Sequence, residues 1–336
     1  MSVWTIALQS LRYYWRSHLG VLLGVVIGTA VLTGALLAGD SVRSTLLAQN
    51  LRRLGSVEFA LTHPTRFVRD HLAEGLEADL QTTVAPVLHV PGMAGEPGQN
   101  HRINRVSVYG VEDRFWRMGE DPPPPSVARE GIRINLRLSE ALQVRTGDTL
   151  LLRVDKPATL SRDSPLSTFE DPSAVLRLPV IGVVHDEQMG AFDLRVHQVP
   201  PYNAFVPLAA LQKAVGLEGK ANMLLVKRTP HADRIHQDLQ KALQKHWTLD
   251  DAQLELRTLP HAPMVELRTG RIFLDDVVQR VIRALDLRSA LPDVRVRPIG
   301  ILTYLVNEIS ANGRGVPYSV VAAIERTDDS PYPAEA

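Results

Sequence analysis

The chain contains no cysteine among its 336 residues. That excludes a disulfide framework, thiol catalysis and cysteine-ligated zinc, and it fits either side of a membrane. It also lacks a charge surplus: Lys plus Arg and Asp plus Glu both total 37. A nucleic-acid binder usually carries a basic excess, so no nucleic-acid partner is expected. No GxSxG, P-loop, GxGxxG or HExxH occurs. The eleven histidines are scattered, and His231 and His236 stand too far apart in phase to share a helix face. Asp275-Asp276 and Asp328-Asp329 are adjacent pairs, whose side chains diverge on a helix, and read as a helix N-terminal charge and a solvated tail. The expectation is no catalytic residue, no metal and no cofactor, hence no enzyme. A tethered enzyme would need Asp163, His185, Asp186 and His197 to converge, although they lie in or beside loops.

One long apolar run is present. Leu19 to Ala38 (LGVLLGVVIGTAVLTGALLA) has 20 residues, no charge and two threonines. As a helix it spans about 30 Å, the hydrocarbon thickness of a bilayer. Trp4, Tyr13, Tyr14 and Trp15 precede it with Arg12 and Arg16 among them, as at a headgroup region. Trp4, Leu8, Leu11 and Trp15 recur at helical spacing, so residues 1–18 read as an interfacial helix and 19–38 as a transmembrane helix. The competing reading is a cleaved signal peptide, but the run is longer than such an apolar region and Leu36/Ala38 make a poor cleavage site. Arg12 and Arg16 before the span balance Arg43, Arg52 and Arg53 after it, so charge leaves the orientation open. Gly20, Gly24 and Gly28 follow a four-residue step, as do Ala30, Gly34 and Ala38; such a face lets another helix approach. No later stretch is as long and apolar, so that second helix would come from elsewhere.

The remainder alternates strand and helix signals, and the fold class expected is α+β. Ser41 caps a helix to Leu54 that continues out of the membrane as a stalk. Residues 56–90 and 222–259 each read as a β-α-β unit, a split, ferredoxin-like arrangement. Between them, 106–215 holds short β-branched strands separated by breaker-rich loops such as DPPPPS (121–126), a β-rich insert. Residues 39–260 are thus one domain. Residues 261–325 form an extension, with a helix from Leu274 to Leu285 and two apolar runs joined by SANGRG as a hairpin, and 326–336 form a tail.

Four stretches together resemble the N-terminal part of a MacB/FtsX-type ABC transporter permease: 7–43, VSVYGVEDRFW (106–116), INLRLSEALQVRTGDTLLLRV (134–154), and LPVIGVVHDE (178–187) with YNAFVPLAALQKAVG (202–216) and NMLLVK (222–227). The resemblance implies a MacB-like periplasmic core domain, a cytoplasmic amino terminus, an extracytoplasmic bulk and residence in the inner (plasma) membrane. It implies as partners an ABC ATPase subunit, a second permease copy or the remaining permease helices, and the lipid bilayer. Such permeases carry further membrane spans, so a fragment of a longer gene is expected. The alternative is a single-pass, membrane-anchored extracytoplasmic binding or scaffold protein.

Overall fold

The computed structural model describes residues 3–63, 65–98, 101–121, 131–157, 173–195, 199–229, 232–260, 264–271, 274–284 and 298–325. Two compact units divide between Gly270 and Arg271.

The first unit opens with helices α1 (Val3–Tyr13) and α2 (Trp15–Leu54). Tyr14 interrupts them for one residue, yet the backbone ladder continues through it, from Tyr14 N–H to Ser10 O (2.9 Å) and from His18 N–H to Tyr14 O (3.0 Å). At 40 residues α2 is about 60 Å long, twice the thickness of a bilayer's hydrocarbon. No proline interrupts it. Thr29 Oγ1 donates to Val25 O (2.7 Å), so the hydroxyl inside the apolar run is satisfied without water. Beyond the run, Ser44 and Thr45 both donate to Ser41 O.

The chain then forms β1 (Val57–Thr62), β2 (Val68–Arg69), α3 (Leu72–Leu80), β3 (Val84–Gly95), β4 (Arg102–Val111) and α4 (Asp113–Trp116). Next come β5 (Ile132–Asn135), α5 (Leu136–Leu142), β6 (Thr149–Asp155), β7 (Ser173–Val184), a 3-10 turn (Asp186–Gln188), β8 (Tyr202–Pro207) and α6 (Leu208–Val215). The unit closes with β9 (Lys220–Ala221), β10 (Met223–Lys227), α7 (Ala232–His246), β11 (Leu254–Thr258) and β12 (Val265–Thr269).

Eight strands pair in the order β1-β10-β3-β4-β8-β5-β7-β6, and β6 returns to pair with β3. The last six therefore close on themselves as a small barrel, which leaves that part of the sheet without free edges. Leu88, Val90, Val106, Val108, Ile132, Ile134, Leu150, Leu152 and Val154 fill it, each 1% exposed or less. Burying side chains of this size contributes about 1.5–3 kcal/mol each. The β-rich segment expected at 106–215 is thus completed by a strand from outside it, β3.

That strand serves two layers. Val84–Val87 pair with β10, whereas Gly92–Gly95 pair with β6 on the same edge. In the gap, the Asn222 side chain imitates a strand: its Oδ1 accepts from His89 N–H and its Nδ2 donates to His89 O, both at 2.8 Å. One amide thereby satisfies two backbone groups that would otherwise each cost about 1–3 kcal/mol. On the outer layer, α3 and α7 pack over β3 and β10 through Leu72, Leu76, Val84, Leu224, Val226, Ile235 and Ala242. Gly75 lets α7 come close, since a Cβ there would sit 2.6 Å from His246 Nδ1. The strand after α7, β11, pairs with β12 in a separate two-stranded sheet, so residues 222–259 do not form the second β-α-β unit expected from the sequence: β11 finds its partner in the next strand of the chain, not beside β10.

The second unit contains α8 (Asp276–Ala284) and a hairpin of β13 (Ile301–Ala311) and β14 (Arg314–Ile324). Asn312 and Gly313 turn the hairpin with φ of 52° and 75°, the left-handed pair that a tight two-residue turn requires. Arg283 reaches Glu325 at 3.0 Å, tying helix to hairpin. Among the described residues of this unit, no side chain is buried. Leu285 and the residues after Glu325, including Asp328 and Asp329, lie outside the described residues.

Candidate functional site at the foot of the long helix

The long helix ends in a socket. Its last turn holds Arg52, Arg53 and Leu54; Arg53 is buried at 7% exposure although it lies on an otherwise exposed helix. Gly55 follows at φ 56° and ψ −127°, a conformation that glycine adopts and L side chains rarely do. The space is closed as well. A Cβ on Gly55 would overlap the Met118 carbonyl oxygen and lie 2.7 Å from Met189 Sδ.

Ser56 fixes the exit. Its N–H and its Oγ both donate to Met118 O, at 2.8 and 2.9 Å. Its own carbonyl accepts from Arg228 N–H at 2.7 Å. Lys227 Nζ donates to Arg117 O at 2.8 Å, and Thr229 N–H to Glu58 at 3.3 Å. The foot of α2 is therefore bonded to the turn after α4 on one side and to the end of β10 on the other.

Behind the socket lies an aromatic cluster. Phe115 meets Phe192 at 5.3 Å and Phe205 at 5.7 Å; Trp116 meets Phe205 at 5.1 Å; Tyr109 meets Phe205 at 5.6 Å. Met118, Met189 and Val57 belong to the same cluster, and Leu54 packs against it. Aromatic pairs at these separations add about 0.5–1.5 kcal/mol each beyond their buried area. Arg114 stiffens the rim by pairing with Glu112 (2.8 Å) and Glu77 (3.4 Å). The helix end is thus anchored through Leu54 and Gly55 against a packed aromatic core.

Nothing comparable assembles for chemistry among the described residues. Among the described residues no group of three or more His, Asp or Glu could hold a metal. An open cleft of about 750 Å³ lies between α3 and α7. Two of its three carboxylates are engaged elsewhere, Glu77 with Arg114, and Asp79 with Lys245 (2.8 Å) and His246 (2.9 Å); the third, Asp238, is exposed on α7. Hydrogen bonds from those two partners hold the Asp79 carboxyl below its ordinary value.

The residues singled out in sequence fall as follows. Gly20, Gly24, Gly28 and Gly34 have open space where a Cβ would point, and Ala30 shares their exposed helix. Asp163, His197 and His231 lie outside the described residues. His185 and Asp186 form the start of the 3-10 turn, with His185 N–H donating to Gln188 Oε1 at 3.2 Å. His236 packs edge-on to Phe59 at 6.4 Å, and Asp275 pairs with Arg271 at 2.9 Å. Gly55, Met118 and Met189 form the socket without belonging to any sequence motif. The Leu54-Gly55-Ser56 sequence, a glycine straight after a helical run, is a signal for the helix end. It carries no information on what the glycine lies against.

A family model described as the MacB-like periplasmic core domain matches residues 19–245. Among solved structures, the chain is similar to the periplasmic region of MacB from Actinobacillus actinomycetemcomitans at 12% identity, covering 70% of this chain and 97% of that chain, with a TM-score of 0.39. It is also similar to the extracellular domain of the noncanonic ABC-type transporter YknZ from Gram-positive bacteria, at 14% identity, covering 55% of this chain and 87% of that chain, with a TM-score of 0.33. No curated protein matches the chain.

Proposed function

This chain belongs to the MacB-like periplasmic core domain family, and from that membership we propose that it is a membrane-anchored part of an ABC transporter permease. In this reading α2 crosses the inner (plasma) membrane, α1 lies at its cytoplasmic face, and the globular units stand outside. A separate ABC ATPase subunit hydrolyses ATP on the cytoplasmic side, and this chain hydrolyses nothing. Closure of that ATPase shifts the membrane helices, and α2 carries the shift to the outer domain as a lever.

The observation that supports the lever is the helix itself. It runs unbroken for 40 residues from the apolar run to the socket at Gly55. Of these, residues 39–54 stand beyond the span, about 24 Å of stalk. A flexible linker would dissipate such a displacement; a continuous helix seated in an aromatic core transmits it. The small-residue face at Gly20, Gly24, Gly28, Ala30 and Gly34 is the seat for a partner helix, from a second permease copy or the remaining permease helices.

The test reconstitutes the chain with its ABC ATPase and partner helices in a bilayer, carrying a fluorophore on Glu218→Cys. ATP should change the fluorescence. Gln49→Pro, which breaks the stalk at a cost of about 3 kcal/mol of helix, should abolish that change while the complex stays assembled. In the same system Gly24→Leu with Gly28→Leu should reduce the partner helices recovered with the chain. An ATP response that survives Gln49→Pro contradicts the lever, and full recovery with both leucines removes the seat.

A further inference from the structure

The turn that walls the socket is linked through one tyrosine ring to a half-buried histidine. Met189 lies against Gly55, and the chain then turns, with Phe192 N–H donating to Met189 O at 3.1 Å. Asn203, fully buried on β8, holds this turn by donating to Gly190 O (3.0 Å) and Phe192 O (2.8 Å). Tyr109 OH donates to the same Phe192 carbonyl at 3.4 Å. Phe192 lies edge-on to the Tyr109 ring at 5.5 Å, and His89 stacks on that ring's plane at 4.8 Å and 22°.

His89 Nε2 is buried with no hydrogen-bond partner among the described residues. The backbone of His89 cannot retreat, since Asn222 clamps its N–H and its carbonyl. We propose that His89 is an acid-sensitive latch: protonating its ring loosens the Met189–Asp193 turn and with it one wall of the helix socket. A proton on Nε2 would meet no acceptor at its present position, and burial disfavours the charged ring.

The charges acting on the ring come from Asp193 in that turn and from Arg195 just after it. Burial lowers the His89 pKa to about 4, Arg195 adds to the depression and Asp193 opposes it. Tyr109, the titratable neighbour from β4, stays neutral, since burial raises its pKa well above the ordinary value. The other group at the ring's own backbone, Asn222 beside β10, does not titrate. With the folded value depressed, the neutral ring stabilises the fold above the ordinary histidine value near 6.5. That stabilisation is lost as pH falls from about 6.5 toward 4 and is gone below the lower value.

The latch rests on the lever reading only for its consequence in transport, so its test uses the full chain alone in detergent, without an ATPase. Hydrogen exchange is measured for peptides covering 52–58 and 186–195 at about pH 7.5 and about pH 4.5, corrected for intrinsic rates. Protection should fall about tenfold or more on acidification, and His89→Phe, which keeps a stacked ring without a titrating nitrogen, should hold it within about twofold. Equal loss in His89→Phe overturns the latch, as does unchanged protection in the native chain. Should His89→Phe not fold, the imidazole resonances of the native chain decide. A His89 titration below about pH 5.5 that coincides with the loss of protection supports the latch, and a midpoint near 6.5 overturns it.

Discussion

Gly55→Val is expected to lower the thermal midpoint of the domain by roughly 10 °C and to expose the end of the long helix to trypsin. Two costs add. The backbone at φ 56° and ψ −127° is one that L residues rarely adopt, which costs about 1–3 kcal/mol. The new side chain also meets the Met118 carbonyl oxygen, and that oxygen is held by two hydrogen bonds from Ser56. A flexible side chain could yield; a doubly bonded carbonyl cannot, so overpacking adds about 1–3 kcal/mol more. A total of about 2–6 kcal/mol corresponds to roughly 10 °C in a domain of this size. Arg53, now buried, should become a cleavage site as the foot leaves its socket. Gly39→Val is the control. It lies on the same helix with open space around it, and its midpoint should move by less than about 2 °C. Equal effects at both glycines would mean that the socket contributes nothing.

Asp251→Asn should cost about 1.5–3 kcal/mol at neutral pH, because the hydrogen bonds from Arg69 lose their anion while Arg69, one-third exposed, keeps part of its hydration. Asp251 is fully buried as a side chain and pairs with Arg69 at 2.7 Å. It accepts from Arg69 N–H, Nε and guanidinium, and from Thr248 N–H and Oγ. Arg69 also donates to His246 O at 3.0 Å, so the pair fastens the end of α7 to β2. Burial alone would raise the Asp251 pKa; the hydrogen bonds from Arg69 and Thr248 outweigh it and hold the pKa below the ordinary value. A depressed folded value stabilises the fold above the unfolded carboxyl value near 3.9, and the stabilisation is lost as pH falls through the folded value. Urea unfolding should therefore separate the two proteins widely at pH 7, and the gap should close in strong acid. A gap that does not depend on pH would assign the loss to shape rather than charge.

The sequence carried the long-helix signal in full. An uncharged run of 20 residues bounded by aromatic and basic residues has few other readings, and the Ser41–Leu54 periodicity extends it into the stalk. The Asn312-Gly313 hairpin was legible for a similar reason, since a two-residue turn with positive φ at both positions strongly favours that dipeptide. Barrel closure was not legible. It depends on β6 returning to β3 across about 60 residues of chain, and strand pairing over such distances leaves no periodicity to read. The dual service of β3 was hidden for the same reason, although its run VAPVLHV, without alternation, marks a strand buried on both faces. Asn222 looked like an ordinary polar residue at a strand start, and only the gap between β10 and β6 shows why an amide is needed. The socket combines three distant segments, around Gly55, Met118 and Met189, each unremarkable alone.

The absence of native cysteine makes the central claim directly measurable, because any introduced thiol is the only one in the chain. Single cysteines at Ser10, Val26, Ser44 and Gln49 would be challenged with a membrane-impermeant maleimide on intact spheroplasts and again after permeabilisation. A lever that crosses the bilayer and stands outside it predicts labelling of Ser44→Cys and Gln49→Cys from outside, of Ser10→Cys only after permeabilisation, and of Val26→Cys in neither condition. Labelling of Val26→Cys from outside, or of Ser10→Cys before permeabilisation, would contradict a helix held across the membrane with its foot in an outer domain.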